Sequence, residues 1–229
     1  MKIDRFYGHS VMIDSLDASS TVVDLGSNHG HFALAMVDRF HCKVFCVEPD
    51  PRIYPTLESN PKLSAINAAV TSKSGSARLY LDHNWERSSL IPLTASKTID
   101  QIECKALTLE DVLKTTGLER ADVLKVDIEG MEVDLLNNLD ARTLDRLNQI
   151  AVEFHEWMGI GTAKQIFATI DHLEGYGFGM VRGSFFDYSD VLFLHKERLE
   201  LPRNWRWLAR VESFRNGISR RLEGRQSLK

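Results

Sequence analysis

Apolar residues recur along the chain in short β-branched runs separated by amphipathic stretches, so strands and helices are predicted in alternation. Val22 and Val23 predict a short buried strand that Asp24 ends, and the stretch from His31 (HFALAMVDRF) carries a helical apolar pattern. Val44–Val47 predicts a second buried strand ending at Glu48. Pro49 and Pro51 stop it, and Pro51 suits the opening of a helix that ends near Asn60-Pro61. Leu63–Val70 reads as a third strand running into a loop. Residues 71–106 then break the rhythm. Ser74-Gly75 is a turn, Ala77–Leu81 alternates like a strand, and Ile102–Ala106 suits a partner for it. Thr108 opens a capped helix that Gly117 ends. Ala121–Val126 is a buried strand leading into Asp127-Ile128-Glu129-Gly130, and Met131, Leu135, Leu136 and Leu139 share one face of the following helix. Ile150–His155 predicts a fifth strand, Thr162–Glu174 a helix, and Phe178–Arg182 and Asp190–His195 the last two strands. Their short, turn-prone link favours an antiparallel pair. Residues 1–20 are read as a lead-in containing a short helix.

Strands alternating with helices over 229 residues, 43% of them hydrophobic, indicate one α/β domain with a substantial core. The expected domain is 1–199, with 1–20 as lead-in and 71–106 as an insertion serving either as a cover for a ligand or as a hairpin extending the sheet. No apolar run approaches the ~20 residues of a membrane-spanning helix, and residues 1–15 lack a signal-peptide core, so the cytoplasm is the expected location. Cys42, Cys46 and Cys104 make neither a disulfide framework nor a zinc pattern and are read as core residues.

Charge is uneven. Residues 196–229 hold ten Lys and Arg against four Asp and Glu, a net +6 that leaves the remainder at −10. An acidic body excludes a broad nucleic-acid surface. In the 200–229 tail, Trp207, Leu208, Val211, Phe214, Ile218 and Leu222 fall at helical spacing with Arg206, Arg210, Arg220 and Arg221 mostly off the stripe. Such a helix packs on the core or a second subunit, or rests on an anionic membrane surface.

The candidate chemistry collects at strand ends. Between the first strand and its helix lies TVVDLGSNHGH, a D-x-G-x-x-x-G turn over Asp24–Gly30 that presents backbone N–H groups to a nucleotide-like ligand. It differs from the G-x-G-x-x-G of dinucleotide enzymes. Glu48, 24 positions after Asp24, is placed to accept two hydrogen bonds from ribose hydroxyls, beside Pro49. Asn67 and Ala68 end the third strand next to the turn and leave room for an adenine ring. Asp127 ends the fourth strand, facing the cleft where sheet ligands bind. Glu129 is either a helix-dipole partner or a site residue. Glu153 and His155, two apart on a strand, share a face, so the histidine suits a general base oriented by the carboxylate. Asp127, Glu153 and His155 also offer oxygen and nitrogen donors to a divalent ion, the less favoured alternative, and no metal ligand is assigned. His29 and His31, flanking Gly30, are read as surface residues.

Taken together, VVDLGSNHG, CVEPDP, SGSARLYLD…SSL, LTLEDVL, LKVDIEGMEVDLL, IAVEFHE and DVLFL, spread over Thr21–Leu194, resemble the FkbM family of S-adenosylmethionine (SAM)-dependent methyltransferases. Ser27, where the family mostly has alanine, and Ala33, where a hydroxyl is frequent, depart from its pattern. The resemblance implies a Rossmann-like class I methyltransferase fold. Its sheet has seven strands, mostly parallel with the last antiparallel, helices on both faces and a β-hairpin insertion between strands 3 and 4. It implies SAM as the cofactor and methyl transfer to a hydroxyl of a sugar, glycan or secondary metabolite. On that reading Asp24, Gly26, Asn28, Gly30, Glu48, Pro49, Asn67, Ala68 and Asp127 bind the cofactor, and His155, Glu153 and Asp127 serve the acceptor. The alternatives are a Rossmann-type NAD-dependent oxidoreductase and a catalytically silent SAM-binding scaffold.

Overall fold

The computed structural model describes residues 1–82, 88–92, 98–156, 162–184 and 187–213. A hairpin opens the chain, β1 (Ile3–Phe6) against β2 (His9–Met12). The main sheet then takes β3 (Thr21–Leu25), β4 (Lys43–Val47), β5 (Ser64–Ile66), β9 (Ala121–Val126), β10 (Leu147–Val152), β11 (Phe178–Arg182) and β12 (Val191–His195), in the order β11-β12-β10-β9-β3-β4-β5. β12 runs antiparallel to both neighbours and the other ladders are parallel. This is the seven-stranded arrangement with one antiparallel strand expected from the sequence. A separate three-stranded sheet joins β6 (Ala69–Val70), β8 (Thr98–Leu107) and β7 (Gly75–Asp82). The insertion therefore forms its own sheet, joined by β6, and does not extend the main sheet.

Central strands are apolar on both faces because helices cover both. Val22 and Val23 are each fully buried yet belong to different cores. Val23, Leu25, Leu124, Val126, Ile150 and Val152 pack with α3 (Leu109–Thr115), α4 (Glu132–Asn137) and α6 (Ala163–Gly175). Val22, Val44, Cys46, Val123 and Leu192 pack with α1 (His31–Phe40), α2 (Tyr54–Glu58), the hairpin residues Ile3, Val11 and Met12, and Trp205. A four-residue helix, α5 (Ala141–Leu144), precedes β10. Cys42 and Cys46 are buried and unbridged, and burial pushes the Cys46 thiol up to about 12.

Three expectations change. Residues 1–20 carry a hairpin, not a helix, turning through Tyr7 (φ 44°) and Gly8 (φ 98°). A tyrosine at positive φ gives none of the Asn-Gly or Asp-Gly signal such turns usually carry. The third strand is split between the two sheets, because Asn67 donates through Nδ2 to the Glu48 carbonyl at 2.8 Å and turns the chain. In the tail, helix α7 (205–213) buries Trp205 and Ala209, while Trp207 is 63% exposed. Trp205 lies against Gly179, where an added Cβ would sit 2.5 Å from the indole. The predicted stripe through Trp207 is therefore not the packed face, and Phe214, Ile218 and Leu222 lie outside the described residues. Among those residues no helix is long and apolar enough to cross a membrane.

Candidate active site

The cleft opens at the C-terminal ends of β3, β4 and β9, where strand order reverses and sheet ligands bind. Gly26, Asn28, Glu48, Pro49, Ala68 and Asp127 line it, as the sequence predicts, together with Glu129. Gly26 (φ 70°) is required twice over, since a Cβ there would lie 1.8 Å from the Asp127 carbonyl oxygen. Asn28 (φ 48°) donates its backbone N–H to Glu48 Oε2 at 2.8 Å, and Asp50 N–H donates to Glu48 Oε1 at 2.9 Å. Both oxygens are thus oriented, and a carboxylate treated this way still has lone pairs for hydroxyl donors. Burial pushes Glu48 up to about 7. Ser27, the departure from the family pattern, is buried. Its Oγ donates to the Asp24 carbonyl and accepts from Val47 N–H, tying β3 to β4 below the cleft.

Asp24, Gly30 and Asn67 take other places. Asp24 is fully buried beneath the cleft, where Lys125 on the neighbouring strand stands opposite it in register and puts Nζ 3.1 Å from Oδ1. Gly30 (φ 75°) caps α1, with no room for a Cβ beside Leu57 and Leu63. Asn67 holds the end of β4 through the Glu48 and Pro49 carbonyls. The insertion contributes Leu79, Ser88 and Leu90 to the cleft wall. Ser88 Oγ donates to Asp50 Oδ2 at 2.7 Å, and Ser89 Oγ donates to the Glu129 carbonyl at 2.6 Å. His31 stacks under Tyr7 at the hairpin tip, 5.2 Å between ring centroids.

Next to the cleft, Asp127 joins a second group of side chains. Lys125 Nζ is 3.4 Å from Asp127 Oδ2 and donates to the Gly26 carbonyl at 2.7 Å. Burial opposes the Lys125 charge, but Asp24 and Asp127 outweigh it and raise the ammonium pKa. Burial likewise opposes the Asp127 charge. Lys125, His9 and His155 overcome it and hold the carboxyl well below its usual range. His155 Nε2 lies 3.6 Å from Asp127 Oδ1 and 3.5 Å from Glu129 Oε2. Its Nδ1 is 3.0 Å from Glu132 Oε1, an oxygen that also accepts the Ile128 and Gly130 backbone N–H groups, each at 3.0 Å. Desolvation lowers the His155 pKa, but the Glu132 hydrogen bond and charge, then Glu129 and Asp127, push it up to about 9. Burial pushes Glu129 up to about 7.

This geometry revises the acceptor half. Glu132, not Glu153, orients His155, and both imidazole nitrogens face carboxylates. An imidazolium at neutral pH has no lone pair to receive a proton, so the expected base is disfavoured in this role. Glu153, raised by burial and then by Asp127, turns instead toward His9 and Asp127. One donor atom each from His9, Asp127 and Glu153, and likewise from Asp127, Glu132 and His155, lie within 4.8 Å of one another. The expected set of Asp127, Glu153 and His155 is thus divided between two groups. Lys125 already provides a cation to Asp127 Oδ2, and no metal is assigned.

Lys125, Glu132 and His9 went unassigned in the sequence. Lys125 is the one charged residue in the Val123–Val126 run that precedes Asp127, a usable signal. Glu132 closes the D-I-E-G-x-E run. His9 carries no local signal.

Residues 24–180 match the family model described as the methyltransferase FkbM domain. Methyltransferase sdnD of Sordaria araneosa is 28% identical over 213 residues, covering 77% of this chain and 80% of that protein. Hexuronic acid methyltransferase AglP of Haloferax volcanii is 23% identical over 147 residues, covering 63% of this chain and 60% of that protein. Among solved structures, Aeropyrum pernix fibrillarin in complex with natively bound S-adenosyl-L-methionine aligns with a TM-score of 0.44 and 12% identity, over 79% of this chain and 69% of that one.

Proposed function

The chain belongs to the FkbM methyltransferase family, and on that premise we propose that it transfers the methyl group of SAM to a hydroxyl of a sugar or secondary metabolite. Membership sets the oxidoreductase alternative aside. The observation that carries the reading is the position of Asp127, which lines the cleft beside Gly26 and Glu48 and also reaches the His9 and His155 group. Cofactor cleft and acceptor centre therefore share one carboxylate. The cleft suits a cationic ligand, because Glu48, Asp127 and Glu129 all line it. Gly26 lets the backbone approach closely, and the Glu48 carboxylate is oriented for paired hydroxyls.

SAM supplies a methyl group already activated by its positive sulfur. The chain must align the acceptor, remove its proton and exclude water. Glu48 and the glycine turn hold the nucleoside end. Asp127 and Glu129 face the cationic end. The insertion, pinned through Ser88 and Ser89, walls the cleft against solvent. A sugar acceptor draws support from the similarity to the hexuronic acid methyltransferase AglP.

The test is release of S-adenosylhomocysteine from SAM by the full chain, offered neutral methyl glycosides and a methyl hexuronoside. Turnover with at least one sugar supports the reading. SAM binding without turnover favours the silent scaffold, and no SAM binding defeats the proposal.

A further inference from the structure

The N-terminal hairpin is fastened to the domain more firmly than a mere lead-in requires. Ser10 donates its backbone N–H and its hydroxyl to the two oxygens of Asp190, at 2.8 and 2.9 Å, and Asp190 is 1% exposed. Arg5 Nε approaches Asp190 Oδ2 at 3.1 Å. Gln149, fully buried on β10, accepts from Met12 N–H and donates to the Met12 carbonyl, at 2.9 and 3.1 Å. Two buried polar side chains, Gln149 on β10 and Asp190 just before β12, thus fix the register of β2.

That register sets His9, itself buried, against the cleft residue Asp127. Its ring meets Phe32 edge-on at 5.6 Å, and Nε2 lies 3.5 Å from Asp127 Oδ2. Nδ1 is buried with no hydrogen-bond partner among the described residues. A buried polar atom left in this way calls for a ligand or water to satisfy it. The charged and titratable groups around the ring are Lys125 on β9, Asp127 just after β9 and Glu153 just after β10, with His155 and Glu129 beyond Asp127. A ring nitrogen of His9, one Asp127 oxygen and one Glu153 oxygen converge within 4.8 Å. The His9–Asp127 contact, at 3.5 Å, is longer than an ordinary hydrogen bond, as catalytic contacts often are before the reacting group arrives.

Resting on the methyl-transfer reading above, we propose that His9 is the proton acceptor for the acceptor hydroxyl, with Asp127 stabilising the imidazolium that forms. The hydroxyl proton passes to His9 as the acceptor oxygen bonds the methyl carbon. The carbon–sulfur bond breaks with its electron pair staying on sulfur, leaving a neutral thioether. His155, held between three carboxylates, acts instead as a fixed positive charge that orients Asp127 and Glu129.

Histidine side-chain 15N NMR of the full chain, before and after addition of S-adenosylhomocysteine, tests this at pH 7.5. The proposal predicts His155 protonated on both nitrogens and His9 on only one. A doubly protonated His9 makes it a structural ion-pair partner of Asp127 and overturns the proposal. So does selective loss of the His9 signals in micromolar Mn2+, which makes it a metal ligand. Failure of S-adenosylhomocysteine to bind defeats the methyl-transfer reading separately, since the protonation states are also read without it. With a sugar the wild type methylates, His9→Gln lowers kcat by at least about 100-fold with S-adenosylhomocysteine affinity and Tm retained. A kcat within threefold of wild type overturns the proposal.

Discussion

Glu132→Gln isolates the contact that fixes the charge of His155. Glu132 is 1% exposed, and its Oε1 accepts from His155 Nδ1 and from two backbone N–H groups, each at 3.0 Å. The folded His155 pKa of about 9 stands above the ordinary 6.5, so the folded state binds the extra proton between those values. The stabilisation is fully present below pH 6.5 and is lost as pH rises through 9. At 1.36 kcal/mol per pKa unit the whole shift corresponds to about 3 kcal/mol. In Glu132→Gln the amide oxygen still accepts from Ile128 and Gly130, while His155 keeps Asp127 and Glu129, at 3.6 and 3.5 Å. A fall of one to two pKa units then costs about 1.4–2.7 kcal/mol below pH 7. A smaller loss of about 1 kcal/mol, from weaker hydrogen bonding to the two amides, persists at every pH. Urea denaturation of wild type and variant at pH 6.0 and 9.5 reads both parts. The expected destabilisation is larger at pH 6.0 by about 1 kcal/mol or more. Equal destabilisation at both pH values would refute a charged His155.

Other substitutions separate the cleft from its support. Lys125→Met strands the fully buried Asp24 and costs about 3–5 kcal/mol in denaturant unfolding, while adding Asp24→Asn recovers most of it. No recovery would mean that Lys125 acts mainly through Asp127. Gly26→Ala drives a Cβ into the Asp127 carbonyl, so thermal unfolding should report a loss of about 2 kcal/mol or more and titration at least tenfold weaker SAM binding. Glu48, raised to about 7, is protonated below that pH and accepts fewer hydroxyl donors, so SAM affinity should fall as pH drops from 8 to 6. Glu48→Gln should bind more weakly and without that dependence.

The cleft was legible because it is local. A strand end, a glycine turn and a strand-end acid sit at fixed spacings, and Gly26, Asn28, Glu48, Pro49, Ala68 and Asp127 all line the cleft. The strands of the main sheet were legible because Val-rich runs buried on both faces alternate with amphipathic helices. The acceptor half is non-local. Lys125 is explained only once the β3–β9 register sets it against Asp24. His9 depends on a hairpin whose tyrosine turn gives no signal, held by Asp190 and Gln149, more than 130 residues away in sequence. Glu153 and His155 share a face only while a strand continues. β10 ends at Val152, so the two side chains meet different partners. Asn67 looked like a ligand contact because a small polar residue at a strand end fits either role. Its Nδ2 donates to the Glu48 carbonyl, a fold contact that the local sequence does not signal.

Calorimetric titration of the full chain with SAM and, in parallel, with NAD tests the central claim most directly. Saturable one-to-one SAM binding, weakened at least tenfold by Glu48→Gln and absent for NAD, is the predicted result. SAM heats indistinguishable from buffer, or NAD binding in their place, would contradict it.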